Sequence, residues 1–233
     1  MVIIKKIIFL YKGNSPFFIF ISFLFTKISN VFVKRKIVKF KKKHQLLLRE
    51  KKITNDFFSA NAFNFFYYLN KLRSDFDYLE IGAYEGNSAV FVAEAFVKSK
   101  IYCVDNWVGN DEYDVNHINF SKIEKNFDSN VINYKNIFKN KCLSDEFFKN
   151  NNKMFDAIYI DGYHHGSQVY KDCVNSWQCL KKNGFLICDD YMWDFYEDFK
   201  DNPCFAINSF LKKIVGLYKL ERVSNSQIFI KKL

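Results

Sequence analysis

A chain of 233 residues with 49% hydrophobic content is long enough to bury one sizeable core, which excludes a disordered tail or a disulfide-stapled miniprotein and predicts one domain plus an extension. The formal charge of +10 suggests nucleic acid only until its distribution is read: residues 1–53 hold 14 Lys and Arg against the single acid Glu50, a net +13, and residues 54–233 carry −3. A near-neutral domain lacks the basic face of a nucleic-acid enzyme, so no nucleic-acid partner is expected and the charge belongs to the arm.

Residues 1–53 read as an apolar and basic helical arm, with its boundary between Leu48 and Asn55. The 14 residues from Gly13 to Thr26 are uncharged, and Pro16-Phe-Phe-Ile-Phe-Ile-Ser-Phe-Leu-Phe-Thr26 is strongly apolar. A bilayer crossing takes about 20 apolar residues, a length reached here only by including Lys27. The following Val33-Lys-Arg-Lys-Ile-Val-Lys-Phe-Lys-Lys-Lys43 interleaves basic and apolar residues, as in segments that lie on anionic membrane surfaces. No small-x-small cleavage site follows, which speaks against a secretory signal. Three readings of the arm stay open: association with a membrane surface, packing on the domain or a second copy as a homo-oligomer, and spanning.

Residues 54–233 alternate apolar runs with helix-period segments, the pattern of βαβ units and a doubly wound, mostly parallel α/β sheet. A helix is predicted near Phe57 to Leu72, ahead of the first strand. Strands are predicted at Tyr78 to Ile81, Ile101 to Val104, Val131 to Tyr134, Phe155 to Ile160 and Phe185 to Cys188. Tyr218 to Val223 and Gln227 to Ile230, separated by Ser224-Asn-Ser226, read as a closing antiparallel hairpin that brings the sheet to seven strands. Helices are predicted at Ser88 to Val97 and Ser167 to Leu180, each with one apolar face. The six cysteines, at 103, 142, 173, 179, 188 and 204, form no CxxC pair or metal-type spacing. They read as reduced core residues of a cytoplasmic chain.

Two constellations carry chemistry. In Tyr78-Leu-Glu-Ile-Gly-Ala-Tyr-Glu-Gly-Asn-Ser88 a buried strand runs into Gly82 and Gly86 and then into a helix starting at Ser88. Gly82 has access to backbone angles closed to other residues, and Gly86 lets the chain approach a ligand at free helix N–H groups. Glu80 stands inside the strand, and Asp105 ends the next strand, where an acid accepts hydrogen bonds from ribose hydroxyls. Trp107 follows as a candidate adenine neighbour or core residue, and residues 136–144 are expected to complete that pocket. The second constellation is Asp161 and His164 after one strand, with Asp189 and Asp190 after its neighbour. Adjacent carboxylates repel unless a cation or proton separates them, so this cluster is a candidate site for Mg²⁺ or a similar hard cation.

The first constellation resembles the class I S-adenosylmethionine (SAM)-dependent methyltransferases, whose first motif is acid-x-Gly-x-x-x-Gly followed by a ribose-binding acid. Ile160-Asp-Gly-x-His164, Val169, Asp172, Trp177, Leu180, Asn183-Gly184, Asp189-Asp-Tyr-x-Trp193, Pro203 and Ala206-Ile-Asn-Ser-Phe-Leu211 narrow the resemblance. They look like the bacterial small-molecule group labelled the methyltransferase-24 family. The resemblance implies a Rossmann-like fold, and a cofactor site with Glu80 near the methionine amino group, Gly82, Gly86 and Ser88 lining it, and Asp105 on the ribose. It also implies a metal held by Asp161, Asp189 and Asp190, and His164 as general base with Asp161 beside it. The expected reaction is methyl transfer from SAM to a small-molecule acceptor, a hydroxyl oxygen foremost, with Tyr191, Trp193 and the stretch from Gly109 to His117 shaping the acceptor side. The competing readings are a nicotinamide-dependent enzyme, disfavoured because Gly82-x-x-x-Gly86 lacks the Gly-x-Gly-x-x-Gly spacing, and a non-catalytic membrane-associated binding protein. The expected location is the cytoplasm, with association with the cytoplasmic membrane face as one open reading of the arm.

Overall fold

The computed structural model describes residues 2–110, 112 and 119–233. Two helices open the chain, α1 (Val2–Lys12) and α2 (Phe17–Leu47), separated where Asn14 adopts φ 53° and Pro16 fixes the entry to α2. Along α2 the positions withdrawn from solvent, Ile19, Phe23, Thr26, Asn30, Val33 and Ile37, recur every three or four residues and continue through Phe40 and His44. That spacing marks one packed stripe along the helix. Asn30 accepts a hydrogen bond from Arg222. Phe40 packs against Phe63 and Phe66 with ring centroids 5.6 and 4.9 Å away. The arm is therefore docked on protein along one face.

The chain divides into two compact units, residues 32–151 and residues 1–31 with 152–233. In the first, α3 (Ala62–Leu69) precedes β1 (Asp77–Ile81), α4 (Asn87–Ala95), β2 (Lys100–Asp105), α5 (Phe120–Val131), β3 (Ile137–Lys141) and α6 (Ser144–Asn150). In the second follow β4 (Phe155–Ile160), α7 (Gly166–Cys179), β5 (Leu180–Cys188), α8 (Pro203–Lys213), β6 (Tyr218–Val223) and β7 (Ile228–Lys232). The seven strands follow the order β3-β2-β1-β4-β5-β7-β6. The sheet is parallel from β3 to β1 and from β4 to β5, and β7 runs antiparallel to both β5 and β6. This is the Rossmann-like arrangement with a closing hairpin.

The strands form because β-branched and aromatic side chains fit a surface buried on both sides. Tyr78, Leu79, Ile101, Cys103, Ile158, Tyr159, Leu186 and Ile187 are all essentially inaccessible. Burying one such large apolar side chain contributes about 1.5–3 kcal/mol, so the strands hold the sheet against the entropy of ordering it. Register fixes the functional edge within each unit. Ile81 pairs with Val104, so Gly82 and Asp105 leave β1 and β2 side by side. Ile160 pairs with Cys188, so Asp161 and Asp189 leave β4 and β5 together.

Three expectations are corrected. The strand expected at Val131 to Tyr134 is the end of α5 and a turn, and β3 begins at Ile137. Asn119 caps α5 by accepting from Lys122 N at 3.0 Å, and its buried stripe of Ile123, Asn126, Phe127 and Asn130 carries the helix through the apolar pair Val131-Ile132. The helix expected from Phe57 is the shorter α3, because Ser59 and Asn61 first close turns. The last strand begins one residue late and runs to Lys232.

Candidate functional site

The first site is a turn held by its own carboxyl groups. Gly82 has φ 88° and donates its N–H to Val104 O at 2.8 Å. Gly86 has φ 81°, and a Cβ there would lie 3.1 Å from Phe127. Both positions require glycine, the second for two reasons. Glu80 is fully buried in β1 and accepts a hydrogen bond from the Ser88 hydroxyl on the first turn of α4. Strand and helix are thus linked across the turn.

Asp105 sits at the end of β2 and binds the same turn. Its two oxygens accept from Tyr84 N at 2.9 Å and Trp107 N at 2.8 Å. Burial raises its pKa, opposed by backbone N–H groups of Trp107, Tyr84, Ala83 and Asn106. Carboxylate oxygens have lone pairs to spare after these contacts, so Asp105 shapes the turn while retaining acceptor capacity for a ligand hydroxyl. Trp107 is 4% exposed. Its indole N–H donates to Tyr84 O at 2.8 Å, and its ring meets Phe127 at 4.8 Å and the Lys139 ammonium at 4.6 Å. It braces the turn from inside. On the neighbouring stretch, Cys142 N donates to Asp105 O at 3.1 Å, bringing the end of β3 to the same edge.

Two contributors were missed in the sequence. Glu85, between the glycines, is 1% exposed. It accepts from Thr54 N, Thr54 Oγ1 and Asn126 Nδ2 at 2.6, 2.9 and 2.7 Å. His44 of α2 is buried against Phe58 and Phe91, and its Nε2 lies 2.6 Å from Oδ1 of Asn87, the first residue of α4. The segment leaving the arm is therefore stitched to both flanks of Gly86. The available signal was an acid at position 85 in an otherwise uncharged turn.

The second site lies where β4 and β5 end. His164 Nε2 is 2.9 Å from Asp190 Oδ2 and 3.8 Å from Asp161 Oδ1. Asp190 reaches this position with φ 49°, a left-handed conformation that aspartate tolerates better than most residues. Tyr159 OH contacts both Asp161, at 2.8 Å, and Asp189. A phenol has one proton, so one of the two contacts must use a carboxyl proton. Burial, with the charges of Asp161 and Asp190 adding to it, holds the Asp189 pKa well above the usual carboxylate range. Tyr159 thus bridges two carboxyls whose pKa values burial raises, and the pair holds one proton between them. Asp161 is also raised by burial, with His164 opposing the shift.

The expected metal ligands are Asp161, Asp189 and Asp190. Asp189 accepts from Gln227 Nε2 and Asp190 N, each at 2.8 Å. The donor atoms that gather within 4.8 Å of one another belong to Asp161, His164 and Asp190. Around them, Trp193 lies 4.8 Å from the His164 ring and stacks on Phe195 at 5.0 Å. Asn202 holds this loop by accepting from Phe195 N and Tyr196 N. Tyr191, expected at the acceptor, is instead fully buried and donates to Asn208 Oδ1 at 2.8 Å. His165 caps α7 by accepting from Ser167 N. Of the stretch from Gly109 to His117, only Gly109, Asn110 and Glu112 are among the described residues, and His117 lies outside them.

Residues 79–191 match the family described as methyltransferase domain. No curated protein matches the chain by sequence. Among solved structures, the chain is similar to an O-methyltransferase from Bacillus cereus in complex with SAH. Identity is 11%, with 92% of this chain and 100% of that chain covered at TM-score 0.56. It is also similar to an O-methyltransferase of tomaymycin synthesis from Streptomyces achromogenes, in complex with SAM, with 11% identity, 82% and 88% covered and TM-score 0.57. A SAH-bound methyltransferase from Podospora anserina gives 13% identity, 84% and 87% covered and TM-score 0.57. At these identities the likeness is one of fold.

Proposed function

We propose that this chain, whose residues 79–191 match a methyltransferase domain, transfers the methyl group of SAM to a hydroxyl oxygen of a small-molecule acceptor. The observation that carries this reading is the turn from Glu80 to Ser88. It joins a buried acid in β1, two positive-φ glycines and a ribose-competent acid at the end of β2. In this reading Glu80 and Ser88 serve the methionine end, Gly82 and Gly86 let the backbone approach the cofactor, and Asp105 accepts from the ribose hydroxyls. Trp107 acts through the turn it braces. The nicotinamide alternative finds no support in this spacing.

Methyl transfer is chemistry of the cofactor, so the protein must align donor and acceptor and remove the acceptor proton. His164 is the proposed base. Its contact with Asp190 at 2.9 Å orients the ring and stabilises the imidazolium that forms. Asp161 sets the acceptor hydroxyl against it. The Asp161, His164 and Asp190 donor set, two carboxylates and an imidazole, would also suit a divalent cation such as Mg²⁺ or Mn²⁺, in which case His164 would be a ligand and water would take the acceptor proton. When bound there, such an ion supplies Lewis-acid polarisation of the acceptor hydroxyl. The free cysteines suit a reducing cytoplasm.

Calorimetry with SAM and with its demethylated product, beside NAD, tests the cofactor. Binding of the first two and not of NAD is expected, and an absence of heat with both overturns the reading. A screen of hydroxylated metabolites with labelled SAM, with and without a chelator, then identifies the acceptor class and the ion requirement.

A further inference from the structure

The packed stripe of α2 leaves the opposite face of the helix with an unusual content. Phe17, Ile21, Phe25, Ile28 and Phe32 follow one another at steps of four, four, three and four and share one face. They are 78, 55, 70, 61 and 83% exposed. On the same face, continuing at the same spacing, stand Arg35, Lys39 and Lys42, all exposed. One helix thus presents about four turns of bulky apolar side chains that run into a cationic segment. Scattered exposed apolar residues are ordinary, but a contiguous helical face of five is a docking surface.

By length and composition α2 with its 3₁₀ extension, Phe17–Glu50, is long and apolar enough to cross a membrane. Crossing would strip the other stripe from its partners: Asn30 from Arg222, Phe40 from Phe63 and Phe66, and buried His44 from Asn87. Lying flat keeps all of these and still covers the apolar face. The adjoining cations select the occupant, since anionic headgroups complement them and a neutral protein surface does not. We infer that α2 docks in the plane of an anionic lipid bilayer, with the Phe17 to Phe32 face entering the interface and the Arg35 to Lys42 face meeting lipid phosphates. The enzyme is held at the membrane as a peripheral protein while the arm stays folded on its domain.

The test is co-sedimentation of the full chain with vesicles of phosphatidylcholine alone or mixed with phosphatidylglycerol, at low and high salt. Binding to the mixed vesicles, weakened by salt and lost on the neutral ones, is expected. Lys39→Gln with Lys42→Gln should weaken the partition by about fivefold per lysine. Phe25→Glu with Phe32→Glu should abolish it. Both pairs lie on the exposed face, and an unchanged melting temperature shows that the variants are folded. Failure to bind vesicles, or equal binding by the Phe25/Phe32 variant, overturns the proposal. So does a stable dimer that buries this face and excludes lipid, or retention in the bilayer through an alkaline carbonate wash, the mark of a spanning helix.

Discussion

Glu85 receives both the backbone N–H and the hydroxyl of Thr54, at 2.6 and 2.9 Å, so the segment leaving the arm is bound to the turn between the two glycines. Asn126 of α5 donates to the same carboxyl group at 2.7 Å. Removing it with Glu85→Ala would orphan several largely buried donors, at an expected cost of about 2–4 kcal/mol. Because the turn loses its outer support, SAM affinity should fall as well. Thermal denaturation with and without SAM reads both. A fully stable variant with unchanged affinity would show the stitch to be incidental.

Asp105 and Gly86 separate two ways of disabling the cofactor turn. Asp105→Ala removes a ligand acceptor and two backbone anchors, and should weaken SAM by about 10–100-fold, the worth of a hydrogen bond to a charged group. Gly86→Ala forces a Cβ to within 3.1 Å of Phe127 at φ 81°, which costs about 1–2 kcal/mol in backbone strain alone. It should therefore lower the melting temperature in the absence of SAM. Calorimetry and apo melting curves distinguish the two variants.

His44 ties the arm's stability to pH. Burial lowers its pKa from the ordinary 6.5, opposed by the Asn87 hydrogen bond and by the charge of Asp56. The folded state therefore favours neutral imidazole. Its contribution is present above the unfolded value and is lost as pH falls through the depressed folded value. Acidification below about 6.5 should destabilise the wild type more than His44→Leu, which has no such group to charge. Melting curves at neutral and mildly acidic pH check this, and parallel losses in the two proteins would remove His44 from the explanation.

The parts that were legible in the sequence are those where one local rule suffices. A strand, two glycines and a helix start identify the turn at Gly82 and Gly86, and the Phe155 to Ile160 run matches β4 residue for residue. The rest depends on tertiary partners. Val131 and Ile132 look like a strand until Asn130 and Asn126 are seen holding α5 against Glu85. Asp189 and Asp190 are neighbours of the same type, and only partners distant in sequence tell them apart, Tyr159 and Gln227 for the first and His164 for the second. Likewise Tyr191 and Trp193 are equivalent as aromatic residues near a strand end. Asn208 draws one inward and His164 meets the other.

That division between Asp189 and Asp190 is open to a direct comparison. Asp189 meets Tyr159, Gln227 and Asp190 N rather than His164, so Asp189→Asn leaves the His164 contact in place. It should fold normally and retain turnover within a few-fold. Asp190→Asn removes the charge facing His164 at 2.9 Å, and His164→Gln removes the proposed proton acceptor. Each should reduce kcat by about 10²–10⁴-fold, the range of general-base catalysis, while SAM affinity stays unchanged, because neither residue belongs to the turn at Gly82. Single-turnover assays beside SAM titrations measure the split. If Asp189→Asn proves as damaging as Asp190→Asn, Asp189 rejoins the reacting groups.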